Sequence, residues 1–291
     1  MNCVYCKGYL KEFSVRNVRN DPNTKSIKEH VLMLNSSDLK NILPSMTHGK
    51  CVSCGSIIAT DNRMKSEELL LSMYNDLPKD YWQELETEKS NSFFVELGNL
   101  LNPNQNSIMS ICDVGCGDGK FLDCINESWQ KFGVEPGKAS ENMINHEKIT
   151  YFNGTLDKSP FRKHSMDIIT YIDVFEHLAD PIKEIKIAKE FLSPNGKIVI
   201  FTGNANSIYS KMSGKNWIYL AYVGHIAVAS EKGLINALNS CGLNKIDVLN
   251  VNHHSSVSFP KWLFYLLASK LLGNRGNIPL FNDHMIVIAS V

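Results

Sequence analysis

The 291-residue chain lacks an excess of either charge, with Lys plus Arg and Asp plus Glu numbering 30 each. Without a basic excess, the simplest electrostatic ground for nucleic-acid binding is missing. The chain also lacks any run near the ~20 apolar residues that a spanning helix needs. Its most apolar stretch, Trp262 to Ala268, is short and is followed by Lys270. Met1-Asn2-Cys3 opens with neither a basic n-region nor an apolar core, so no secretory leader is expected and the expected setting is cytoplasmic. Internal repeats and low-complexity tracts are missing too. Apolar residues at 43% and charged residues at 21% are ordinary globular values, which excludes a disordered tail, a collagen-like fibre and a coiled-coil rod.

Cysteine is what the chain does have. In a reducing compartment its eight cysteines are metal ligands or core residues rather than disulfides. Cys3-x-x-Cys6 and Cys51-x-x-Cys54 form two knuckles, each supplying two thiolates to the tetrahedral sulfur set that Zn²⁺ prefers. Such a site has no open ligand position and is structural; a redox dithiol is the alternative. A segment this short has little core, so the metal would supply much of its folding energy. Cys112, Cys116, Cys124 and Cys241 stand in or beside apolar elements and read as packing residues.

The chain divides into a zinc-ribbon segment at 1–63, a helical linker or cap at 64–104, and an α/β domain at 105–291. In the last, strands at Ser107–Val114, Lys131–Val134, Ile149–Phe152, Met166–Ile172, Lys197–Phe201, Lys245–Val251 and His284–Ala289 are expected. Helices are expected at Lys120–Trp129, Pro181–Leu192 and Glu231–Asn239. This alternation predicts a doubly wound, mostly parallel, Rossmann-like sheet of seven strands. Two aromatic-rich insertions, 204–229 and 252–283, leave the sheet at strand ends, where helical lids over a ligand would sit.

The segment Ile111-Cys112-Asp113-Val114-Gly115-Cys116-Gly117-Asp118-Gly119-Lys120 runs an apolar strand into glycines and then a helix. Glycines allow the sharp turn and the close approach of a ligand, and the helix end offers N–H groups to an anion. The spacing is not G-x-G-x-x-G, and Asp113 at the strand end would repel a pyrophosphate. A carboxylate there suits S-adenosylmethionine, which carries an ammonium and a sulfonium. Glu135, about 20 residues on at the end of the next strand, stands where an acid accepts hydrogen bonds from ribose hydroxyls.

These residues resemble the class I S-adenosylmethionine-dependent methyltransferases, most closely the ubiquinone-biosynthesis-like O-methyltransferases. Asp113 to Gly119 resembles their first motif and Gly133-Val134-Glu135-Pro136 their acidic second strand. Asp173 to Pro181 resembles the segment after their fourth strand, and Leu192 to Lys197 the turn before their fifth. The resemblance implies cofactor contacts at Asp113, Gly115, Gly117, Gly119, Glu135 and Asp173, with the adenine at Thr155 and Leu156, although many members have an acid where Thr155 stands.

Asp173, Glu176 and His177 lie at i, i+3 and i+4, one face of a helical turn. The ubiquinone-type enzymes link a similar set to Mg²⁺; a capping box with Asp173 as N-cap is the structural alternative. Methyl transfer to a hydroxyl also needs a base. His225 is the first choice, with Ser230 opening the next helix, and His253 and His254 come second. Asp173 is expected beside the reacting groups.

The leading expectation is O-methylation of a small acceptor: a sugar, a glycolipid or polysaccharide precursor, or a related metabolite. RNA methylation, with the ribbon as docking module, is the second. The ribbon segment carries nine basic against five acidic side chains, which argues for RNA only mildly. A non-catalytic scaffold is the third. Residues 260–272 could also form an interfacial helix for peripheral membrane contact.

Overall fold

The computed structural model describes residues 1–15, 47–61, 66–76, 88–101, 108–138, 144, 147–221, 224–251 and 282–291. Residues 252–281 of the expected second insertion, with its interfacial helix, His253 and His254, lie outside the described residues.

Seven strands form the larger sheet: β4 (Ser110–Val114), β5 (Gln130–Glu135), β6 (Thr150–Asn153), β7 (Met166–Ile172), β8 (Leu192–Gly203), β10 (Lys245–Val251) and β11 (His284–Ser290). Their order is β10-β11-β8-β7-β4-β5-β6. The pairs from β6 to β8 are parallel, while β11 runs antiparallel to β8 and β10 antiparallel to β11. This is the expected doubly wound, mostly parallel sheet.

The pleat explains why these runs are apolar throughout. Successive side chains point to opposite faces, and both faces are covered. Ile111, Ile168 and Val199 face a cluster with Phe93, Leu97 and Leu101 of α2 (Glu88–Leu101) and Phe121 and Leu122 of α3 (Lys120–Asp123). Their neighbours Cys112, Ile169, Ile198 and Ile200 face Ile185 and Ala188 of α4 (Pro181–Phe191) and Leu234, Ala237 and Leu238 of α6 (Glu231–Ser240). Asp180 caps α4 by accepting the Lys183 N–H at 3.0 Å, and Ser230 caps α6 by accepting the Gly233 N–H at 3.0 Å.

The helix expected over Lys120–Trp129 is a single turn ending at Asp123. Beyond it the bonds tighten, with Ile125 N–H reaching Leu122 O at 3.2 Å. The Asn126 side chain then accepts from the Ser128 amide at 3.0 Å and from its hydroxyl at 2.9 Å. This Asx turn gives the backbone an alternative to the helix and turns the chain toward β5.

A second sheet, order β1-β2-β3-β9, joins the cysteine knuckles to the α/β domain. It comprises β1 (Leu10–Val15), β2 (Thr47–Cys51), β3 (Ile57–Ala59) and β9 (Ala227–Val228). The insertion at 204–229 therefore does more than leave the large sheet. It folds as α5 (Ile208–Ser213) and two 3₁₀ turns, then returns as the edge strand of the ribbon. The helix α1 (Glu67–Asp76) lies between the two parts of the chain in sequence.

Candidate functional site

From β4 the chain winds outward to β5 and β6, then returns to β7 on the other side of β4. A crevice opens at such a reversal, beyond the carboxyl ends of the strands. The glycine turn after β4 and Asp173 after β7 both stand there.

Gly115, Gly117 and Gly119 have φ of 75°, 53° and 84°, the left-handed region that side chains resist. A Cβ on Gly115 would lie 2.5 Å from Val174 Cγ2, so that position has neither the backbone nor the room for another residue. The turn is pinned to β5 by the Gly115 and Cys116 amides, which donate to Val134 O at 2.7 and 3.1 Å. Glu135 closes it from below: its carboxylate accepts from the Gly117 amide at 3.2 Å and the Gly137 amide at 2.7 Å. These bonds aim the carboxylate and leave lone pairs for a ribose.

Asp113 is buried in β4, where the Thr170 hydroxyl donates to it at 2.6 Å. Burial pushes both acids up to about 7, with the neighbouring Glu135 charge a further cause at Asp113.

Thr155 and Leu156 open the 3₁₀ turn after β6. Thr155 donates to Asp157 at 2.6 Å. The Leu156 side chain belongs to the core, so its backbone is what it can offer an adenine.

Asp173 does not cap a helical turn. Its φ is 52°, and the 3₁₀ turn Phe175–His177 follows with Val174 at the cap position and no capping side chain. The capping box expected with Asp173 as N-cap is therefore not formed. Asp173 Oδ1 is buried and without a hydrogen-bond partner among the described residues. Burial, then the Glu176 charge, pushes it up to about 8.

Glu176 and His177 meet His225. The Glu176 carboxylate, fully buried, accepts from the Tyr219 hydroxyl at 2.5 Å and from Thr202 at 2.8 Å. His177 Nε2 and His225 Nε2 stand 3.9 and 3.8 Å from its Oε1. Burial lowers the pKa of His177. His225 Nδ1 lies 2.6 Å from the Tyr219 carbonyl. A carbonyl only accepts, so Nδ1 carries the hydrogen, and Nε2 is the nitrogen that accepts a proton when the ring is neutral. The cluster of Glu176, His177 and His225 offers two imidazoles and one carboxylate, which is not the oxygen-rich shell that Mg²⁺ takes.

Sequence reasoning missed Tyr219, Thr202, Asp283 and His284. His284 Nδ1 lies 2.8 Å from Asp283 Oδ1, and its ring stacks on Phe201 with centroids 5.3 Å apart. Asp283 holds the His284 pKa up against burial. The one available signal was the polar triplet Asn282-Asp283-His284 opening an otherwise apolar strand.

At the knuckles, Cys3 and Cys54 sulfurs are 3.7 Å apart and those of Cys6 and Cys51 are 3.5 Å apart. All four Sγ atoms lie within 4.8 Å of one another. A tetrahedron with Zn–S bonds of about 2.3 Å has edges of about 3.8 Å, so the sulfurs fit that ion. The Cys54 thiol is pulled down by its contact with Cys3, while the same contact pushes Cys3 up.

A family model for the methyltransferase domain matches residues 81–248, more than half of the chain. The chain belongs to that family, and its fold is that of the class I, S-adenosylmethionine-dependent members. It is 27% identical over 104 residues to the ubiquinone biosynthesis O-methyltransferase of Vibrio cholerae serotype O1, covering 33% of this chain and 42% of that protein. It is 32% identical over 113 residues to the tRNA U34 carboxymethyltransferase of Campylobacter curvus, covering 36% and 38%. The match thus spans about two-fifths of the length of these curated relatives. Among solved structures, the plantazolicin methyltransferase BamL, in complex with a triazolic desmethylPZN analog and SAH, superposes with a TM-score of 0.53 at 14% identity. That match covers 78% of this chain and 96% of BamL. A methyltransferase from Thermotoga maritima gives 0.50 at 16% identity, covering 69% and 88%. Both likenesses are of fold.

Proposed function

We propose that this chain transfers a methyl group from S-adenosylmethionine to a hydroxyl of a small acceptor, of the sugar, glycolipid or polysaccharide-precursor kind. The observation that carries the reading is the pairing of two features at one end of the sheet: a glycine cradle closed by Glu135, and a buried histidine whose acceptor nitrogen is fixed by a carbonyl. The cofactor, when bound, supplies a methyl made electrophilic by its sulfonium. Gly115, Gly117 and Gly119 give its amino-acid end room. Glu135 holds the ribose, Thr155 and Leu156 flank the adenine, and Asp113 and Asp173 supply negative charge. His225 Nε2 would take the proton of the acceptor hydroxyl as that oxygen bonds the methyl carbon and the carbon–sulfur bond breaks, its electron pair leaving with S-adenosylhomocysteine. Glu176 steadies the charge that His225 gains. Burial of His225 and Glu176 keeps water away from the reacting oxygen.

Cys3, Cys6, Cys51 and Cys54 are the residues that would hold a structural Zn²⁺, and reduced thiolates of this kind suit a cytoplasmic setting. Among the described residues, no helix is long and apolar enough to cross a membrane.

The test is calorimetry with S-adenosylhomocysteine, then turnover with pools of hydroxylated acceptors. His225→Asn is expected to cut kcat by roughly 10²–10⁴ while S-adenosylhomocysteine binds within threefold of wild type. Equal turnover by the variant would remove His225 as the base. Failure to bind the nucleoside would remove the whole reading.

A further inference from the structure

We infer that the four-cysteine knuckle is a positioning element for the acceptor side of the site: by holding β9 it sets where His225 stands. The inference deepens the role assigned to His225 above and rests on it. It replaces the picture of the ribbon as a separate docking module.

The argument starts from the shortness of β9. Ala227–Val228 is a two-residue strand, and so short a piece takes its shape from its partner. That partner is β3, with Ile57 opposite Val228 and Ile58 opposite Ala227. Ala59 N–H adds a bond to Ile226 O at 2.7 Å. Tyr5, between the ligands Cys3 and Cys6, is buried and donates its hydroxyl to Ala227 O at 2.6 Å. On the far side of β9, the Ser230 hydroxyl donates to Cys54 O at 2.6 Å, and the Ser230 amide donates to the Ser56 hydroxyl at 3.0 Å. Ile57 packs in one cluster with Trp217, Tyr219, Leu220 and Val228.

The other edge of the same segment faces the site. Ile226 N–H donates to Glu176 O at 2.8 Å, and His225 Nδ1–H to Tyr219 O. Residues 225–228 are thus clamped between the knuckle and the Glu176 turn. The knuckle itself rests on its cross-link, since small metal sites of this kind fold with their metal. Loosening it frees β9 and lets His225 drift. A drift of ~1 Å in a catalytic group is enough to cost on the order of 10²-fold in rate. The glycine cradle stands on β4 and β5, which pair with β7 and β6 and with no ribbon strand. Cofactor binding is therefore expected to outlast loss of the metal.

The experiment is hydrogen exchange by mass spectrometry on the full chain, zinc-loaded and after stripping with a chelator. The expected result is at least tenfold faster exchange at 225–230, unchanged exchange at 110–114, and S-adenosylhomocysteine affinity within threefold. Zinc added back restores protection. Tyr5→Phe keeps all four cysteines. It should retain zinc stoichiometry, speed exchange at 227–228 severalfold, and lower kcat without moving the KM for S-adenosylmethionine. Unchanged protection at 225–230 after stripping overturns the inference. So does uniform loss of protection together with loss of nucleoside binding, which would make the metal a support of the whole fold. If His225→Asn keeps its turnover while the exchange coupling holds, the base assignment fails and the clamp stands.

Discussion

Glu135 offers the sharpest test of the cofactor crevice, because its ionisation and its geometry point the same way. Its carboxyl is pushed up to about 7 by burial, and both oxygens already take backbone amides. A ribose needs the ionised form, which only accepts. With a pKa near 7, about nine-tenths of the group is ionised at pH 8 and about one-tenth at pH 6. Affinity for S-adenosylhomocysteine should therefore fall about tenfold from pH 8 to pH 6 through Glu135 alone, which is about 1.4 kcal/mol. Asp113, also held at about 7, steepens the fall if it too must be charged. Glu135→Gln replaces one acceptor oxygen with an amide nitrogen facing a backbone N–H. At pH 8 it should weaken binding by roughly 10- to 100-fold, in line with about 1.5–3 kcal/mol for a charged hydrogen bond. Its remaining pH profile should be flatter by about tenfold across the same window. Calorimetry at pH 6, 7 and 8 on both proteins measures this. A wild-type affinity that stays level across that range, or a variant with the same slope, would refute the reasoning.

Gly115→Ala combines a left-handed backbone with a Cβ 2.5 Å from Val174, so a loss of about 2–5 kcal/mol in urea unfolding and of nucleoside binding is expected. Binding as in wild type would show that the turn is not the cradle. Ser230→Ala removes both the cap of α6 and the bond to Cys54 O, and should destabilise the chain by about 1–3 kcal/mol in the same assay. Tyr219→Phe takes one of two hydroxyl donors from the buried Glu176 carboxylate. Turnover should fall more than tenfold while S-adenosylhomocysteine affinity changes little, and an unchanged kcat would disconnect Glu176 from His225.

The large sheet was legible because both its faces are buried. Runs such as Ile111-Cys112 and Ile168-Ile169 are apolar throughout, and helices lie between them. The glycine turn was legible because a crowded left-handed turn tolerates few other residues. What escaped was set by distance along the chain. Nothing local marks Ala227–Val228 as a strand, since its partner is Ile57–Ile58. Tyr219 and Thr202 become ligands of a carboxylate only once β8 and the following 3₁₀ turns bring them to Glu176. Asp173 adopts a positive φ that its own identity does not require, so the helical cap that the spacing suggested is not made. The helix after Gly119 is shorter than expected, and the Asn126 side-chain bonds to Ser128 that turn the chain there depend on backbone geometry and not on apolar spacing.

The pairing of β3 with β9 also has a consequence for biosynthesis. Ser56 meets a residue 174 positions away, and Tyr5 one 222 positions away. At about 5–20 residues per second, the early knuckles wait on the order of ten seconds or more on the ribosome before their last neighbour emerges. During that interval the edge of β3 that takes β9 stands open, and an unpaired strand edge of that kind is a template for wrong pairings.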